Sequence, residues 1–239
     1  MSNQSATEHV RRLWRHRGTT LPTPRRGPRQ QLSLDEILDA AAGIADTDGL
    51  AAVSTRAVAA RFGRTAMALY PYVGTKEQLL ALMQDHVSAL PRWADPATSA
   101  AGDLTAWALA LFDLHLAHPW LTERSWAQSG QGPNEQDWME RLLGVLGRWA
   151  VPEQRRAPAV TMLYAAVRSC AETAAAYARM DRDGAAAWAD RAEATWVLIP
   201  DLAERYPLST GLAPVTPQWR DAPRAGLIAA VRLLSEALC

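Results

Sequence analysis

The sequence predicts an all-α fold, in which an N-terminal unit of three helices containing a helix-turn-helix is joined to a C-terminal helical bundle. Three observations carry the prediction. Apolar residues recur at helical spacing, alternating β-branched runs are absent, and Gly- and Pro-containing breaks divide the 239-residue chain into helix-sized lengths. A chain of this length has ample material for one large or two modest cores.

Residues 1–31 read as a basic, flexible arm, because Gly18, Pro22, Pro24, Gly27 and Pro28 interrupt any regular element. Within it, His9 to Arg17, with Val10, Leu13 and Trp14, has the makings of one short helix. The first helix of the N-terminal unit opens at Ser33. With Glu36 three residues on, Ser33 forms a capping box, and Ile37, Leu38, Ala41, Ile44 and Ala45 share one face until Gly49. A second, short helix starts at Ser54 or Thr55 and offers Val58, Ala59 and Phe62 to the core before Gly63 stops it. A third apolar segment runs from Ala66 to Tyr70. Thr75 then caps a longer helix with Leu79, Leu80, Leu82, Met83, Val87 and Leu90 as buried candidates, so this unit is expected to span 32–90. Beyond Pro91 alanine becomes frequent and nine of the ten tryptophans occur, which sets 91–239 apart as a second domain. Its helices are expected at about 102–117, 120–128, 134–149, 153–181, 184–205 and 221–238.

Lysine plus arginine (25) equals aspartate plus glutamate (25), yet the charge is unevenly placed. Residues 1–31 hold Arg11, Arg12, Arg15, Arg17, Arg25, Arg26 and Arg29 against Glu8 alone, a net of +6 that leaves −6 for the rest. Such a dipole points to nucleic acid or another anionic surface. Hydrophobic residues at 49% and charged residues at 21% exclude wholesale disorder. Cys170 and Cys239 form no CxxC pair, which favours a reducing, cytoplasmic setting. Arginines interrupt any apolar N-terminal run, so no signal peptide is expected, and no run of about 18 apolar residues suggests a membrane span.

Two short helices around a glycine turn suit a helix-turn-helix, although a plain α-helical hairpin has the same pattern. Ala57, Ala59 and Ala60 allow close packing, and the segment after Gly63 is slim enough for a major groove. The run from Gly49 to Leu80 goes further and resembles the DNA-binding domain of the tetracycline-repressor (TetR) family. The resemblance is carried by Gly49-Leu50, Ser54-Thr55-Arg56, the Ala59-x-x-Phe62-Gly63 turn, Leu69-Tyr70-Pro71-Tyr72-Val73 and Thr75-Lys76-Glu77-Gln78-Leu79-Leu80. Further on, His118-Pro119-Trp120-Leu121 and Gly132-Pro133-Asn134-Glu135, ahead of Trp138, Leu142 and Leu143, are similar to the regulatory domain of the branch closest to the tetracycline repressor itself.

This resemblance implies a homodimeric transcription factor, a repressor that binds a palindromic double-stranded operator and is released by a small, largely apolar effector. By position, Arg56 matches a base- or phosphate-contacting arginine, Thr65, Ala66, Met67 and Ala68 match the recognition face, and Tyr70 and Lys76 match phosphate contacts. The chemistry agrees, since a guanidinium fork suits guanine while a lone lysine suits a phosphate. Two positions depart from the family pattern: Arg64 stands where a small apolar residue is usual, so that either the turn packs differently or the arginine adds a phosphate contact, and Pro71 is expected to end the recognition helix early. Tyr72 is read either as a phosphate contact or as a packing ring. Arg25, Arg26 and Arg29 on the arm are expected to reach the minor groove or backbone. The resemblance further implies that Tyr164 to Ala178 and Ala225 to Leu238 form a four-helix dimer interface.

The effector pocket is expected among Trp107, Leu111, His115, Trp126, Trp138, Tyr164, Arg168 and Trp196, with most of the other tryptophans filling core. Arg168 has two readings, a pair with Glu172 one turn on or a partner for an acidic effector, the first being favoured. His115 and His118 are three apart, but no third ligand has suitable spacing, so neither a metal nor a cofactor is expected. An enzyme is disfavoured because GxSxG, HExxH and phosphate-binding glycine loops are all absent. The alternatives that remain are an α-helical ligand-binding enzyme with a repressor-like front and an architectural DNA-binding protein without an effector.

Overall fold

The computed structural model describes residues 3–19, 32–93, 97–124, 130–180, 182–216 and 218–238. Among them lie twelve α-helices: α1 (Asn3–Leu13), α2 (Leu34–Asp48), α3 (Thr55–Arg61), α4 (Tyr70–Val73), α5 (Lys76–Val87), α6 (Ala100–Ala117), α7 (Pro133–Arg148), α8 (Glu153–Arg179), α9 (Arg182–Leu198), α10 (Leu202–Arg205), α11 (Pro207–Thr210) and α12 (Ala222–Leu238). The all-α prediction therefore stands.

Two cores follow from the apolar patterns. The first gathers Ile37, Leu38, Ala41 and Ile44 of α2, Val58 and Ala59 of α3, Leu69, and Leu79, Leu82 and Met83 of α5, all buried. The second gathers Leu104, Trp107 and Phe112 of α6, Trp138 and Leu142 of α7, Leu163 and Val167 of α8, and Leu227 and Val231 of α12. Trp120 and Leu121, although late in sequence, complete the first core. The two halves of the molecule are thus joined by shared packing and not by a bare linker.

Caps define the front elements. Ser33 Oγ accepts from the Glu36 amide while the Ser33 amide donates to Glu36, and Thr75 and Gln78 do the same at α5. Ser54 Oγ accepts from the Ala57 amide at 3.0 Å and starts α3. Because Ser54 Oγ satisfies a first-turn amide that has no partner within the helix, Ser54→Ala is expected to cost about 1 kcal/mol of stability, read from urea unfolding midpoints.

Three expectations need correction. The arm is not flexible from its start: residues 3–13 form α1, whose Leu13 is only 1% exposed within the first core. The expected helix at 120–128 begins as a 3₁₀ turn, Pro119–Glu123, since Pro119 lacks an amide hydrogen and opens the turn, while 125–129 lie outside the described residues. The expected helix at 184–205 is broken after Leu198, next to Pro200, into α9 and α10.

Candidate nucleic-acid interface and ligand cavity

The α3 helix buries Thr55, Val58 and Ala59 and leaves Arg56 exposed. Gly63, at φ +62°, reverses the chain in the left-handed region where a side chain is strained, and the Arg64 amide closes the turn on the Ala59 carbonyl at 3.0 Å. The next element is not one helix ended by Pro71. Ala66–Ala68 form a 3₁₀ turn, and α4 begins afresh at Tyr70 with Pro71 in its first turn, where no amide hydrogen is needed. Leu69, fully buried, anchors the junction.

Arg64, Thr65, Met67, Ala68, Tyr70 and Lys76 are exposed, with Met67 at 73%, and Ala66 is half-buried. Arg56 shares that exposure. Tyr72 is half-buried against the first core, so its ring packs the domain. Arg25, Arg26 and Arg29 lie outside the described residues.

Sequence reasoning missed what α1 does. Arg12 donates to the Pro71 carbonyl at 3.1 Å, Arg15 pairs with Asp35 of α2, and Arg17 pairs with Asp137 of α7 at 2.5 Å. Several basic groups of the first segment are therefore spent inside the protein. Partial burial opposes the charge on Asp35, but hydrogen bonds from Arg15 and His16 outweigh it and hold the carboxyl below its ordinary range. The sequence signal was Val10, Leu13 and Trp14 at helical spacing.

Behind the first core lies a cavity with about 640 Å³ of unfilled space, part of it open to solvent. Its apolar walls are Leu111, Leu114, Leu121 and Trp138. The polar walls are Gln84, Ser88, His115, Arg124, Glu135, Tyr164 and Arg168. Of the residues expected to line it, Leu111, His115, Trp138, Tyr164 and Arg168 do so. Trp107 stands one layer back, edge-on to Trp138 at 6.0 Å and Tyr164 at 4.9 Å, with its Nε1 donating to the Trp138 carbonyl. Trp196 belongs elsewhere: it is 50% exposed on α9, a helix that contributes no wall. Trp126 lies outside the described residues.

Arg168 departs from its favoured pairing with Glu172. It donates to the carbonyls of Thr122 and Arg124, because the Pro119–Glu123 turn presents unsatisfied carbonyls to α8. His115 and His118 do not converge on one site. His115 Nδ1 lies 2.8 Å from the Leu111 carbonyl, and burial keeps its pKa below the ordinary value. His118 faces Asp46 of α2, which also accepts the Trp120 indole N–H at 2.7 Å.

The cavity wall is also the joint between α5 and α7. Asp85 Oδ1 accepts the backbone amides of Asn134 at 2.9 Å and Glu135 at 3.1 Å, which satisfies the N-terminus of α7. A Cβ on Gly132 would come within 2.2 Å of that carboxyl, so glycine is what permits the approach. Asn134 Nδ2 donates back to the Asp85 carbonyl, and Trp138 Nε1 donates to the Ser88 carbonyl at 2.9 Å. Arg124 Nε donates to Gln84 Oε1, and Gln84 Nε2 donates to Glu135 at 2.6 Å. The helix that begins with Lys76 therefore ends in the cavity wall. Arg124, Gln84 and Glu135 were missed because they meet only through the packing of three separate segments.

Residues 37–83 match the family described as bacterial regulatory proteins, tetR family. The repressor DrrR1 of Streptomyces coeruleorubidus is 35% identical over 144 residues, covering 59% of this chain and 53% of that protein. The chain thus spans about half the length of this curated relative. The crystal structure of ActR from Streptomyces coelicolor with actinorhodin aligns with a TM-score of 0.73 at 26% identity over 87% of this chain and 97% of that one. A further Streptomyces coelicolor TetR regulator aligns at 0.66 with 26% identity, over 87% of this chain and 99% of that one. These relatives do not single out the branch of the tetracycline repressor, and they speak against the enzyme reading. The exposed helix-turn-helix and these matches together identify residues 37–83 as a DNA-binding domain of the tetR family, in a chain whose fold is that of the Streptomyces TetR regulators.

Proposed function

We propose that the protein is a homodimeric repressor that binds a palindromic operator in the cytoplasm and leaves it when a small, largely apolar molecule enters the cavity. The observation that carries this reading is α5 itself. Its first residue, Lys76, is exposed beside the reading face, and Gln84 and Ser88 at its other end line the cavity. A ligand that prefers one arrangement of that wall shifts the placement of the reading face, which is an allosteric coupling and not catalysis. The relatives support the direction of the effect: DrrR1 is named as a repressor, and ActR has been solved with actinorhodin and with (S)-DNPA.

In this reading Arg56 and Thr65 supply polar base contacts, Met67 and the methyls of Ala66 and Ala68 meet thymine methyls, and Arg64, Tyr70 and Lys76 hold phosphates. Arg25, Arg26 and Arg29 are assigned to the minor groove or backbone as arm contacts. Dimerisation through α8 and α12 is supported by their exposed faces. Ala165, Ser169, Thr173 and Ala176 line one side of α8, and Ala230, Leu233 and Ala237 line one side of α12, with Leu233 68% exposed. Small side chains of this kind allow two helix pairs to approach closely.

Variants separate the two kinds of DNA contact. Arg56→Ala is expected to relax base preference by about 1–3 kcal/mol at one operator position. Lys76→Ala is expected to weaken all sequences alike and to lower the slope of log affinity against log salt by about 1. Titrations against a panel of single-base operator variants at several salt concentrations check both. Equal losses across the panel for both variants contradict the assigned roles.

A further inference from the structure

The reading element is too short to hold its own place. α4 has four residues, fewer than a stable isolated helix needs, so its orientation depends on what it touches. From beneath, Leu69 and Val73 are fully buried. At its end the Tyr70 carbonyl accepts the Gly74 amide at 2.9 Å. The Pro71 carbonyl would ordinarily take the amide four residues on, but Thr75 gives that amide to Gln78 Oε1 at 2.9 Å in the cap of α5. Arg12 of α1 supplies a donor in its place, with Nη2 3.1 Å from the Pro71 carbonyl oxygen.

Arg12 is itself held. Its side chain is 13% exposed, and Glu8, one turn back, stands 3.5 Å from the same Nη2. The next residue, Leu13, is buried in the first core. Just beyond α1, Arg15 pairs with Asp35 of α2 and lies 3.3 Å from His86 Nδ1 of α5, and Arg17 pairs with Asp137 of α7. Towards the other end of α1, Ser5 Oγ lies 3.5 Å from Nε2 of Gln78, the residue that takes the Thr75 amide. Contacts with α2, α5 and α7 thus fix α1 independently of α4. We propose that α1 braces the reading element and that Arg12 is its positioning residue, whose bond to Pro71 sets the pitch at which Thr65, Met67 and Tyr70 meet the bases and backbone of DNA. The inference rests on the DNA-binding reading above and goes beyond it, because it assigns sequence discrimination to a guanidinium spent on a carbonyl inside the protein. Hydrogen bonds weaken over a few tenths of an ångström and a few tens of degrees, so a small tilt of so short a helix is enough to blunt base contacts. Lys76 belongs to α5, which has its own anchors in the first core, so a loosened α4 costs discrimination more than general affinity.

The test uses the full-length protein, a palindrome-containing fragment from beside its own gene and a scrambled fragment of the same length. Arg12→Met keeps the stem of the side chain and loses the donor, whereas Arg12→Lys keeps a charged donor. Arg12→Met is expected to lower the ratio of the two affinities by about tenfold, the worth of one good base contact. The slope of log affinity against log salt on the scrambled fragment is expected to stay as it was, and Arg12→Lys to recover part of the ratio. Hydrogen exchange at the Tyr72, Val73 and Gly74 amides, which close α4, is expected to quicken in Arg12→Met while exchange in α3 is unchanged. An unchanged ratio overturns the proposal, whether or not the urea midpoint falls. Equal losses on both fragments, with the salt slope lowered by about 1, make Arg12 a phosphate contact and also overturn it. Should Arg12→Met not fold, Arg12→Gln, whose amide is shorter than the reach to Pro71, is read in the same way. An unaltered protein that binds both fragments equally contradicts the DNA-binding reading, and this inference falls with it, a result distinct from a ratio that survives in the variant.

Discussion

Trp138→Ala is expected to lower unfolding free energy by about 3–5 kcal/mol, the largest loss among the substitutions considered. The side chain is 3% exposed and stands edge-on to Trp93 at 6.2 Å and to Trp107 at 6.0 Å. Its truncation enlarges a cavity that already exists, so the surroundings have little means of collapsing into the space. It also removes the indole donor that satisfies the Ser88 carbonyl at the end of α5, where the helix has no partner of its own. Trp138→Phe narrows the comparison, because an aromatic ring remains while the donor and a smaller part of the side chain's volume are lost. That variant is expected to cost about 1–3 kcal/mol, the penalty of an unsatisfied buried acceptor. Urea unfolding of both variants provides the comparison. Similar losses for the two would assign the stability to the hydrogen bond and not to the packing.

The second large effect is a pH dependence centred on Asp85. Burial, the largest cause, pushes its pKa up to about 6, against the opposing pull of the α7 amides. The native state therefore holds a proton that the unfolded chain releases near pH 4. The resulting stabilisation is fully present below the unfolded pKa and is lost as pH rises through about 6. Above that value the protein keeps an ionised carboxylate in a buried joint. Asp85→Asn retains an oxygen able to accept both α7 amides and cannot ionise. Relative to the native protein it is expected to gain up to about 3 kcal/mol between pH 4 and pH 8, an upper bound from the size of the shift. Unfolding midpoints measured for both proteins across that range decide the matter. Parallel curves would show that Asp85 does not titrate between them.

Local signals were the most legible part of the sequence. Ser33 with Glu36, Ser54 and Thr75 mark helix starts because a cap is made by residues three apart. Arg56, Thr65, Met67 and Tyr70 were assigned by their positions in the family resemblance, and the structure leaves all four exposed. Pro71 was misjudged because the letters do not tell whether a proline ends one helical turn or begins the next. The cavity was half legible: Trp138 and Tyr164 are large aromatics on long helices, whereas Gln84, Arg124 and Glu135 look like ordinary surface polar residues until three segments are packed together. Trp196 misled in the opposite sense, as an aromatic that the described chain leaves exposed.

The charge asymmetry acquires a more specific meaning from the structure. Arg12 of α1, with Arg15 and Arg17 just after it, holds this segment against Pro71, Asp35 and Asp137, and thereby spans from the helix-turn-helix to α7, one of the helices of the cavity wall. That part of the basic segment acts as a strap between the two ends of the molecule. The formal net charge of zero combines a basic front segment with an acidic body and does not describe either of them.

Sequence-selective binding of DNA by the exposed front face is decided by a single titration. The purified protein is titrated by fluorescence anisotropy against a palindrome-containing fragment from beside its own gene and against a scrambled fragment, each at low and moderate salt. Tighter binding to the palindrome is expected at both salt concentrations, with affinity for both fragments falling steeply as salt rises. Equal affinity for the two fragments, or binding indifferent to salt, would contradict it.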